Sequence, residues 1–170
     1  MRMSLHTVWQ SMELVVQQND REVDRIPAHD IQRVILVCRA GGETPGDLSF
    51  AIIETVSEAV VLPAESGIAG RVHFERQSFW SERNCVYWVD GSQVSLPRGL
   101  RSGFWLLGRQ RPGYMHVPRS DVDSAIDQWP LQGPQTWEQR KWERIARYKL
   151  LAPLDQAPRR GRQEAKTKQP

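Results

Sequence analysis

Arginine and aromatic residues alternate along residues 71–119, and this pairing is the main chemical resource of the chain. Phe79, Trp80, Tyr87, Trp88, Phe104, Trp105 and Tyr114 are interleaved with Arg76, Arg83, Arg98, Arg101, Arg109 and Arg111. Flat rings stack on unpaired bases, and guanidinium groups meet phosphates through a planar fork of donors. Each stacked base contributes about 1–3 kcal/mol. The expected chemistry is capture of a nucleic acid, single strands before duplex. Phe79, Trp80, Trp88 and Trp105 would supply the stacking rings, and Arg76, Arg83, Arg98, Arg101, Arg109 and Arg111 the phosphate contacts. Arg140, Arg144 and Arg147 recur at helical spacing and would add salt-sensitive, sequence-independent affinity.

The charge distribution points the same way. Residues 1–70 carry five Arg against ten acids, or −5, and residues 71–119 carry eight Arg against three, or +5. Residues 120–139 hold four acids and no base, and residues 140–170 hold ten Lys/Arg against three acids, or +7. The net +3 therefore conceals a basic second half, as expected of a chain that meets an anion. A second reading uses the same asymmetry. The acidic first half and basic second half would let copies associate head to tail, making this an oligomerising structural or adaptor protein of a viral or mobile-element type.

Enzymatic readings are poorer. Asp47 and Glu54 sit on consecutive strand-like segments, as the carboxylates of a metal-dependent nuclease would. That pattern needs a lysine two residues after the glutamate, where Val56 stands. His73, Glu75, Arg76 and Arg83 are the nearest approach to a metal-free ribonuclease, in which one group takes a proton and another returns it. His6, His29, His73, His116, Cys38 and Cys85 show no paired spacing of the kind zinc sites use. The loop 41–47, GGETPGD, lacks the Gly-Lys-Ser/Thr ending of a phosphate-binding loop. The sequence thus predicts a non-enzymatic protein without cofactor or metal.

The elements that must position these residues are read from periodicity. Leu5, Val8, Trp9, Met12, Val15 and Val16 fall on one helical stripe, which predicts a helix from Ser4 to Asn19. Arg33–Arg39 is a continuous apolar run, expected as a central strand buried on both faces. Strands are expected over 48–56, 59–63, 68–75, 103–107 and 114–118. Asp90-Gly91 between two strand-like runs predicts a tight hairpin. Ser120–Trp129 reads as a short helix with Val122, Ile126 and Trp129 inward, and Thr136–Leu151 as a last helix.

The resulting fold expectation is α+β: a curved, mostly antiparallel sheet of about six strands, closing into a small barrel, with one N-terminal and two C-terminal helices. A chain of 170 residues accommodates one such domain over 1–155, followed by a disordered basic tail over 156–170. Cys38 and Cys85 lie in apolar runs and are expected as buried thiols. With no apolar leader core and no long apolar run, the expectation is an intracellular protein without membrane contact.

Overall fold

The computed structural model describes residues 4–39, 47–66, 85–100 and 112–134, together with Trp142, Ile145 and Ala146. The N-terminal segment is not a helix. It forms two strands, β1 (Leu5–Gln10) and β2 (Glu13–Gln18), followed by β3 (Arg21–Pro27). The three strands pair in sequence order as an antiparallel meander. Both connections are two-residue turns at left-handed dihedrals: Ser11 (φ 46°) with Met12 (φ 68°), and Asn19 (φ 50°) with Asp20 (φ 63°). Two consecutive positive-φ residues match the right-handed twist of a tight hairpin.

The helical stripe was produced by the turn. Along β1 burial alternates, with Leu5 and Thr7 inward and His6 and Val8 outward. The turn at Ser11-Met12 then resets the phase, so Leu14 and Val16 again face inward. The apparent 3.6 period therefore mixes inward residues such as Leu5 and Val16 with the exposed Val8 and Met12. The β-branched content of Thr7, Val8, Val15 and Val16 favours the extended form.

Five further strands make a second sheet: β4 (Arg33–Cys38), β5 (Leu48–Glu54), β6 (Glu58–Pro63), β7 (Val86–Asp90) and β8 (Met115–Pro118). Their order is β7-β4-β5-β6-β8. All neighbours are antiparallel except β4 and β7, which run parallel. The sheet is buried on both faces, which explains the unbroken apolar runs of β4, β5 and β6. On one face Val34, Leu36, Ala51, Ile53, Val60, Leu62 and Trp88 pack against Leu5, Leu14, Val16 and Ile26 of the meander. On the other, Ile35, Val37, Ile52, Val61 and Val89 pack under Leu100, Val122, Ile126 and Trp129.

The architecture is therefore mostly β, with two stacked sheets and a thin third layer. A single curved sheet or barrel flanked by helices is overturned. Among the described residues the third layer contains a 3-10 turn at Arg119–Asp121 and one α-helical turn, α1 (Asp123–Ile126). Val122, Ile126 and Trp129 do face inward, at 0%, 0% and 7% exposure. Of the expected helix over 136–151, only Trp142, Ile145 and Ala146 are described. The expected strands over 68–75 and 103–107, and the tail over 156–170, lie outside the described residues.

The Asp90-Gly91 hairpin is also corrected. The Asp90 carboxylate accepts a hydrogen bond from the Ser92 N–H at 2.8 Å, which starts a 3-10 turn over Gly91–Gln93 instead. Local side-chain bonding of this kind competes with strand pairing. The outer side of β7 is taken by Gln132, whose backbone exchanges hydrogen bonds with Trp88 at 2.9 and 2.7 Å.

Candidate functional site

The structure describes two of the residues expected to hold nucleic acid. Trp88 is 6% exposed and lies in the core between the sheets. Its ring is consumed by packing, so it is not a stacking platform. Strand parity explains this: in β7, Val86 and Trp88 share the meander-facing side. Arg98 is exposed, in a 3-10 turn over Arg98–Leu100. Arg76, Phe79, Trp80, Arg83, Arg101, Trp105, Arg109, Arg111, Arg140, Arg144 and Arg147 lie outside the described residues, as do His73 and Glu75.

What the structure does bring together is a set of titratable side chains that spacing did not reveal. Asp24 comes from β3, Glu58 from β6, His116 from β8 and Tyr114 from the residue just before β8. The His116 Nε2 lies 2.9 Å from Asp24 Oδ2, and its Nδ1 lies 3.1 Å from Glu58 Oε2. The Tyr114 hydroxyl donates to the same Asp24 oxygen at 3.2 Å and stands 3.0 Å from His116 Nε2. The two rings meet edge to face, with centroids 5.6 Å apart. Burial, with Asp24 and Glu58 close by, pushes the Tyr114 phenol well above its ordinary value.

Backbone irregularity aims Asp24 at this cluster. The pairing of β2 with β3 slips between Val16 and Gln17, leaving Val23 as an extra residue. Such a bulge reverses the facing of the residues beyond it. Glu22 consequently shares the outer face with Arg25, which it binds at 2.7 and 2.9 Å, while Asp24 faces the second sheet. The four groups are therefore a junction between the edges of two sheets. Sequence reasoning weighed His116 only for metal spacing. The local signal was Tyr114 and His116 at i and i+2 of a strand-like run, hence on one face. Its carboxylate partners are 92 and 58 positions away and leave no mark in spacing.

A second polar cluster lies at the opposite side of the five-stranded sheet's thickness. Glu54 is fully buried and takes two hydrogen bonds from Arg33, its partner across β4 and β5. Arg119 approaches the same carboxylate at 3.8 Å and is itself held by Asp123, Gln32 and the Thr55 carbonyl. The Arg33 guanidinium also lies over the Tyr87 ring, 6.0 Å from its centroid. Glu54 is therefore committed to Arg33, and it closes β5 at the end opposite Asp47, which immediately precedes that strand. Among the described residues no group of three or more His, Cys, Asp and Glu side chains is placed to hold a metal ion, and no helix is long and apolar enough to cross a membrane.

These pairs redistribute the charge. The described residues hold six Arg against thirteen acids. Three of the six scaffold arginines, Arg25, Arg33 and Arg119, are engaged by carboxylates. Comparison of the chain with protein-family models, with curated protein sequences and with solved structures gives no match in any of the three.

Proposed function

We propose that this protein binds nucleic acid without catalysis, through basic segments carried on an acidic, ion-paired β scaffold. The observation that supports this reading is the charge asymmetry of the sequence, −5 over residues 1–70 against +5 over 71–119 and +7 over 140–170. Acidic segments repel phosphates, so affinity for a polyanion comes from the basic ones. In sequence, Arg101, Arg109 and Arg111 lie between two buried residues, Leu100 and Pro112. Arg98 is exposed immediately before it. Single strands are favoured because Phe79, Trp80 and Trp105 accompany these arginines in sequence.

The test is anisotropy of a labelled, short single-stranded oligonucleotide across a salt series. Each phosphate contact on a single strand contributes about −0.7 to the slope of log affinity against log salt. Combined replacement of Arg101, Arg109 and Arg111 by Ala should flatten that slope by about 2. No affinity at low salt would overturn the reading.

The same partition favours one competing function, salt-sensitive self-association, in which the basic segments of one copy meet the acidic scaffold of another. Light scattering without nucleic acid separates the two. A mass that rises at low salt with no oligonucleotide affinity supports assembly.

A further inference from the structure

We propose that Asp24, Glu58, Tyr114 and His116 form a proton-operated latch between the two sheets. The argument rests on donor counting. Both His116 ring nitrogens face carboxylate oxygens, Nε2 toward Asp24 and Nδ1 toward Glu58. Only the imidazolium has an N–H on each nitrogen. In that form His116 donates to both carboxylates, and the Tyr114 hydroxyl donates to Asp24 as well. Two of these three bonds cross from the five-stranded sheet to β3.

Loss of the Nε2 proton to solvent rearranges the set. The remaining N–H, on Nδ1, keeps its bond to Glu58 of β6, the strand paired with β8. Bare Nε2 becomes an acceptor, and the Tyr114 hydroxyl already stands 3.0 Å from it. Tyr114 then donates to His116 and no longer to Asp24. Asp24 Oδ2 loses both donors, while its Oδ1 keeps only the Arg25 N–H of its own strand. Deprotonation thus removes two bonds between the sheets and adds one within the five-stranded sheet. Among the described residues, the groups facing His116 are Asp24 from β3, Glu58 from β6 and Tyr114 just before its own strand, and its cross-strand neighbour Val60 adds no charge. The inter-sheet bonds are present when His116 carries a proton on both ring nitrogens and are lost when Nε2 is bare.

Two measurements test the latch. Ring-nitrogen NMR of the wild-type protein reports the tautomer directly. The expected neutral form carries its proton on Nδ1, with Nε2 accepting; a proton on Nε2 in the neutral form would overturn the proposal. Amide exchange, corrected for its intrinsic pH dependence, reports the sheet contact. Protection of Asp24, Arg25 and Ile26 should be about tenfold lower where ring-nitrogen NMR finds His116 neutral than where it finds it charged, while Ile52 in the sheet centre holds its value. Asp24→Asn, nearly the same in shape, should abolish that difference while ring-nitrogen tautomers are read independently. A fall of equal size in the wild type and Asp24→Asn would show that the contact to Asp24 does not carry the effect.

Discussion

Arg33 grips Glu54 across two adjacent strands, with Nε donating to Oε2 at 2.5 Å and Nη2 to Oε1 at 3.0 Å. The carboxylate has no solvent exposure, whereas the arginine side chain retains 23%. An arrangement of this kind is costly to break from one side only, because the surviving charge stays buried. Glu54→Ala and Arg33→Ala should each cost about 3–5 kcal/mol. Arg33→Met combined with Glu54→Leu should cost much less than the sum of the single changes. Urea midpoints of the three variants decide it, and additive losses would contradict direct coupling of Arg33 and Glu54.

Tyr114 gives an alkaline signature. Its native phenol holds its proton above the ordinary value, first through burial and then through Asp24 and Glu58. The unfolded phenol titrates near 10. The stability tied to this shift is therefore present below about pH 10 and is lost as pH rises through the native value. Tyr114→Phe should show a flatter decline of urea midpoint above about pH 10 than the wild type. Identical declines would place the alkaline sensitivity elsewhere.

Trp88 should report the core and not a ligand. Trp88→Ala is expected to cost about 3–5 kcal/mol. In a variant whose other tryptophans are Phe, emission of Trp88 should be unaffected by an oligonucleotide that binds. Quenching of that emission would mean that the sandwich opens on binding.

The first hairpin holds removable strain. Ser11 and Met12 both adopt left-handed dihedrals, and Met12 is 49% exposed, so little packing depends on its side chain. Replacing the pair by Asn-Gly, the residues that such turns favour, should stabilise the protein by about 1 kcal/mol. A thermal midpoint that does not rise would indicate that the Met12 side chain contributes contacts beyond its exposed surface.

The five-stranded sheet was largely legible because its strands are buried on both faces, and a doubly buried strand reads as an unbroken apolar run. Arg33–Cys38 and Glu58–Pro63 carry that signature directly. The meander was misread because a two-residue turn without glycine at Ser11-Met12 left no punctuation between the two strands. Asp90-Gly91 carried a strong local hairpin signal, but the partner of β7 is the distant strand β4, and the Asp90 side chain capped a turn instead. The His116 junction was illegible for a different reason. It is assembled by strand order and by a bulge at Val23, neither of which local periodicity encodes.

The strand order also dictates a sequence of assembly. Through Pro63, each strand within either sheet pairs with the one just before or after it in the chain, across connections of two to nine residues. These contacts close small loops and form quickly. β7 and β8 are different: they attach to opposite flanks, on β4 and β6, and complete the sheet late. During synthesis the acidic half is thus paired up while both flanks are still open. Until β7 and β8 arrive, the backbones of β4 and β6 are templates for foreign strands. A ribosome that stalls in the basic half would release a chain primed to join another copy of itself.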